Sequence, residues 1–130
     1  MSETATPLGE PAIRVIAMPA DANPNGDIFG GWLMAHMDLA AASVASRRSR
    51  GRTATVAVDG MSFLKPVTVG DEVSVYGHII STGRTSIKVH VEAWRRLRAG
   101  DEMVKVTEAT FTFVAIDEQG SPRPLPEAAA

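Results

Sequence analysis

IFGGWLMAHMDLAAASVAS, running from Ile28 to Ser46, is the segment on which the architecture turns. It carries one full charge, Asp38, opens on Gly30-Gly31 and closes on Arg47-Arg48. A membrane-spanning helix needs about 18 or more apolar residues with few or no charges. Here Asp38, His36 and two serines interrupt the run, and the paired glycines weaken its first turn. A helix apolar nearly all round is otherwise one buried in a protein interior. A lone carboxylate in that setting is costly to bury ionised, so it either stays neutral or serves a purpose.

Upstream of the helix, PADANPNG (19–26) is a loop dense in turn residues, and Ala12–Ala17 reads as a short strand. Asn25-Gly26 is a natural turn and Asp27 a natural N-cap. Downstream, the helix stops in the basic, glycine-containing RRSRGR (47–52), and the pattern becomes β. Thr53–Phe63 is β-branched but broken by Asp59-Gly60, which predicts a bend or bulge. PVTVGD (66–71) is a turn-bearing connection. Glu72–Thr82 and Thr85–Arg95 alternate apolar and polar residues around a tight hairpin at Gly83-Arg84. In Met103–Ile116 the apolar phase shifts from Val104/Val106 to Ala109/Phe111/Phe113, as a bulge near Thr107-Glu108 would cause.

The order strand, long helix, four strands predicts an α+β fold, an antiparallel sheet with one helix on a face. One five-stranded sheet cannot cover such a helix on every side, so a second subunit is expected. The chain of 130 residues reads as a single domain over 12–118, with loosely held tails at 1–11 and 119–130.

Thirteen basic against fifteen acidic residues, a net charge of -2, argue against a nucleic-acid or anionic-membrane binder. No cysteine is present, which excludes disulfides, thiolate metal sites and a cysteine nucleophile. MSETATPLGEP (1–11) lacks the basic start and apolar core of a signal peptide, so a cytoplasmic protein is expected. His36, His78 and His90 have no metal-ligand spacing, and His36 reads as a packing residue. No GxSxG, GxxxxGK[ST] or GxGxxG occurs.

PADANPNGDIFGGWLMAHMDLAAA, VDGMSFLKPVTVGDEV, GRTSIKVHVEAW and TEATFTFVAID together resemble the YciA-type acyl-CoA thioesterases of the hotdog superfamily, over about Arg14 to Pro126. The joint occurrence of NGDIFGGW, the Met37-Asp38 pair and FLKPVxVGD carries the specificity. The resemblance implies a hotdog fold with the sheet wrapped around a central helix. It implies a dimer with active sites at the subunit interface, assembled as a trimer of such dimers. It implies hydrolysis of acyl-CoA to a free acid and CoA, with no cofactor beyond the CoA of the substrate. Asp38 matches the catalytic carboxylate, and Gly30 and Gly31 match the glycines at the helix start. A related branch has His-Gly-Gly where this chain has Phe29-Gly30-Gly31, so a histidine role there is absent.

At the residue level, the same-face neighbours of Asp38 are Gly31, Met34, Ala41, Ala42 and Ala45, which leave room for a substrate. A desolvated carboxylate beside them suits a general base, and equally a nucleophile forming a transient anhydride. The first amides of the helix, at Gly30 and Gly31, suit an oxyanion hole; the competing reading is a close helix–sheet contact. Asn25 and Asp27, in the loop the family places beside the thioester, orient water or carbonyl unless their turn and cap roles explain them. Lys65, Arg84 and Lys88, with Gly83, Thr85 and Ser86 as donors, are candidates for the CoA phosphates, against the plainer reading of solvated surface charge. Two rivals are a non-catalytic acyl-CoA sensor, which normally carries a second domain, and a hotdog hydratase. The hydratase needs an Asp-His pair that Asp27 and His36 do not obviously form.

Overall fold

The structure, a computed structural model, describes residues 6–128. Strand β1 (Ile13–Ile16) leads through a short 3-10 turn (Pro19–Asp21) into helix α1 (Gly30–Ser49). Strands β2 (Thr53–Phe63), β3 (Glu72–Thr82), β4 (Ser86–Arg96) and β5 (Met103–Ala115) follow. All pairings are antiparallel, in the order β1-β3-β4-β5-β2. The α+β expectation holds, and β2 and β3 fall on their predicted bounds.

The bulges explain where the sequence pattern breaks. Between Asp59/Thr110 and Ser62/Glu108 strand β2 uses one residue more than β5, beside Gly60 at φ 69°. A second slip lies at Val56, between Thr55 and Ala57. Against β4, strand β5 has Val106 as its extra residue, between the pairs Ala93/Thr107 and Trp94/Lys105. That one-residue slip is what moves the apolar phase of β5 to the other parity.

Helix α1 lies on one face of the sheet. Leu33, Met37, Ala40, Ala41 and Ala45 are buried against a floor that includes Val75, Val89, Val91, Phe111 and Phe113. Small residues let the layers approach: a Cβ at Gly77 of β3 would come 3.1 Å from Val44 Cγ2 of the helix. The helix is not enclosed by its own chain, however. Leu39 is 60 % exposed and Met34 41 % exposed, and Val56 of the neighbouring edge strand is 56 % exposed. No helix of the described residues is long and apolar enough to cross a membrane.

Two local expectations are corrected. Asp27 does not cap the helix. The N-cap is Phe29, with no side-chain cap bond, while Asp27 forms a bridge with Thr68 and takes the Asn23 amide on its carbonyl. The C-terminal segment, expected to be loosely held, is tied down by hydrogen bonds as far as Pro126. Arg123 donates to the carbonyls of Ile116, Ser49 and Arg52, Leu125 N–H donates to Arg84 O, and Arg48 donates to Pro126 O. Gly51 leaves space for that arginine, since a Cβ there would lie 2.7 Å from Arg123 Nη2. Of the N-terminal tail, residues 1–5 lie outside the described part; Leu8 O accepts a hydrogen bond from His78, and Ala12 N–H donates to Val75 O.

Candidate active site

Asp38 stands on the flank of α1 that faces β2, where it is half-buried. Its Oδ1 accepts a 2.6 Å hydrogen bond from Thr55 Oγ1, just before the Val56 bulge. Met34 and Leu39 continue the open apolar surface beside it. The protomer therefore does not itself supply the full desolvation expected of this carboxylate. Thr55 escaped the sequence reading; it is one threonine in a β-branched strand, and only the helix–strand juxtaposition singles it out.

The start of the helix is unusual in its hydrogen bonding. The amides of Ile28, Phe29 and Trp32 donate to Val67, Asp21 and Phe29 carbonyls, respectively, whereas those of Gly30 and Gly31 have no partner among the described residues. Unsatisfied first-turn amides at the positive end of a helix dipole are anion donors. The two glycines differ in surroundings. A Cβ on Gly30 would meet Phe63 Cζ at 3.1 Å, whereas one on Gly31 would meet nothing within 4 Å. Close packing thus accounts for Gly30 but not for Gly31.

The preceding loop is organised by Asn23 rather than by Asn25 or Asp27. Asn23 Oδ1 accepts from the amides of both Asn25 (2.9 Å) and Asp27 (3.1 Å), and Gly26, at φ 88°, donates to Asn23 O. The side chains of Asn25 and Asp27 are exposed and make no hydrogen bond among the described residues. His36 is a packing residue, its Nδ1 2.8 Å from Trp32 O and its ring 4.3 Å from the indole.

The candidate CoA residues separate into two groups. Lys65 lines a hollow of about 350 Å³ at the helix start, with Ile28, Gly30, Leu33, Phe63 and Val67. Leu64 N–H next to it donates to Val106 O. Gly83, Arg84, Thr85 and Ser86 form the β3–β4 turn, where Ser86 pairs with Val114 and Lys88 is exposed opposite Thr112. Eight residues of β5 separate the two places, roughly 26 Å. Within one protomer they do not meet. Another cleft, of about 800 Å³ and lined by Arg47, Arg48 and Arg50, runs along the opposite flank of α1 from Asp38.

Comparison with known proteins gives a consistent result. The thioesterase superfamily matches residues 25–99. The uncharacterized acyl-CoA thioester hydrolase of Zymomonas mobilis is 53 % identical, over 96 % of this chain and 84 % of that protein. The acyl-CoA thioester hydrolase YciA of Salmonella typhimurium is 50 % identical over 93 % of each. Among solved structures, the hexameric thioesterase from Yersinia pestis superposes with a TM-score of 0.90 at 51 % identity, covering 95 % of this chain and all of that one. The chain belongs to the YciA-type acyl-CoA thioester hydrolases of the thioesterase superfamily, and its sheet and single helix form their hotdog fold.

Proposed function

We propose that the protein is a cytoplasmic enzyme that hydrolyses acyl-CoA to a free carboxylic acid and CoA, with Asp38 as its reacting carboxylate. The observation that carries this is Asp38 held by Thr55 at the edge of an open apolar face, in a chain of this family. With Oδ1 engaged by the threonine hydroxyl, Oδ2 is the atom left to act. As a general base it takes a proton from water while the water oxygen bonds to the thioester carbon; the C–S bond then breaks and the proton passes to the CoA sulfur. As a nucleophile it bonds to the carbonyl carbon, expels the thiolate and is released from the anhydride by water. In either route the oxyanion is received by the free Gly30 and Gly31 amides. The reaction needs no metal or organic cofactor.

Seven residues separate Gly31 from Asp38, about 10 Å along the axis. One thioester carbonyl does not span that gap, so Asp38 of one subunit serves amides of its partner across the interface and the dimer is the active unit. Pairing of subunits also brings Lys65 and the Arg84 turn, which are far apart in one protomer, to a shared CoA. A trimer of such dimers agrees with the hexameric assembly of the Yersinia pestis relative. Asn25 and Asp27 border the substrate through the loop that Asn23 fastens.

A thiol-release assay on Asp38→Asn tests the reading. The variant is expected to fold and assemble normally and to lose about 10²- to 10⁴-fold in turnover. Near-normal turnover would overturn the assignment. Oxygen-isotope incorporation into Asp38 during a single turnover separates nucleophile from base.

A further inference from the structure

The sheet face turned away from α1 carries a second group of side chains with chemistry of its own. His90 and Glu92 alternate on β4, and Glu108 of β5 stands directly opposite Glu92. His90 Nε2 lies 3.0 Å from Glu92 Oε2 and 3.6 Å from Glu108 Oε1, and the three donor atoms fall within 4.8 Å of one another. A tetrahedral ion with bonds of about 2.0–2.1 Å has donor–donor edges of roughly 3.3 Å. The two measured edges bracket that value.

The far oxygens of the carboxylates are already occupied. Trp94 Nε1 donates to Glu92 Oε1 at 2.9 Å, and Lys105 Nζ lies 2.6 Å from Glu108 Oε2. Each glutamate therefore presents its near oxygen to the imidazole, as outer partners orient the ligands of a metal. Two carboxylates directly opposed across an antiparallel pair concentrate negative charge on this face, where His90 and Lys105 already lie against them. All three donors stand on the interior strands β4 and β5, which pair along nearly their whole length. They keep 23–37 % of their side-chain surface, so solvent reaches them.

We propose that His90 Nε2, Glu92 Oε2 and Glu108 Oε1 bind one Zn²⁺ ion, with water in the fourth position. The set of one imidazole and two carboxylates suits a borderline ion of this kind. On binding, the ion takes the place of the hydrogen that His90 Nε2 directs at Glu92 Oε2, and that proton passes to solvent or to Nδ1. It ties β4 to β5 on the side of the sheet opposite Asp38, and so stands outside the hydrolytic chemistry.

The test uses the full-length assembled protein, stripped with chelator and titrated with Zn²⁺ by calorimetry and with Co²⁺ by visible absorbance. One ion per chain and a rise in Tm are expected. His90→Ala and the isosteric Glu108→Gln should each weaken binding at least about tenfold. Absence of binding would overturn the proposal, as would binding that persists undiminished in both variants.

Discussion

Gly30 and Gly31 are neighbours in the chain, yet a methyl group would have opposite consequences at the two positions. At Gly30 it would press on the Phe63 ring at 3.1 Å. At Gly31 it would enter open space, and the helix would gain up to about 1 kcal/mol from the better propensity of alanine. Gly31→Ala is therefore expected to raise Tm while lowering kcat about tenfold or more, because the methyl keeps the thioester oxygen from the free amides. A stabilised variant with unchanged kcat would remove Gly31 from the oxyanion hole. Asp38 was visible in the sequence as a charge without company. Its partner Thr55 was not, because the contact joins residues that no periodicity relates. The same limit hid Asn23: an Asx side chain that gathers two amides looks, in sequence, like any other turn residue.

Among the elements, strands β3 and β4 were the most legible, since their apolar residues turn one face to the helix and the period of two follows from that. The helix start was the least legible. Asp27 has the composition of a cap, but the chain uses it in a bridge to Thr68 and begins the helix three residues later without a side-chain cap. A side chain occupying those amides would close the donors to which the proposed reaction assigns the oxyanion.

The outer face of β4 and β5 makes a prediction in pH. Burial pushes the Glu92 carboxyl up, but hydrogen bonds from Trp94 and His90 and the charges of Lys105 and His90 outweigh it and leave it below its ordinary 4.5. A depressed carboxyl stabilises the fold when ionised. That contribution is complete above 4.5 and is lost as pH falls through the lower folded value. Trp94→Phe should therefore cost about 1 kcal/mol through this bond at neutral pH, with the deficit narrowing in acid. A wild-type–variant difference that is flat across that window would show that only packing is affected.

At the scale of the whole molecule, the exposed surface is uneven. Met34 and Leu39 of the helix adjoin Val56 and Val58 of strand β2, whose outer edge is unpaired in the protomer. The sequence foretold that the helix needs more cover than one sheet gives, but not which edge supplies it, because that depends on the strand order. Val56→Asp is expected to shift sedimentation toward smaller species and to abolish turnover, although it leaves Asp38, Thr55 and both glycines in place. A dissociated chain that still hydrolyses acyl-CoA would argue against a shared site.

The two margins of the sheet are also unequal, eleven residues in β2 against four in β1. An isologous pairing through β2 uses the long margin of both copies at once. What remains at the outer ends is the short strand Ile13–Ile16, with Arg14 on it and Pro11 just before it. Such an end is a poor template for further strand addition. Growth by this route would close at two copies, so the pairing proposed to complete a catalytic site would also keep the protein from polymerising into a fibre.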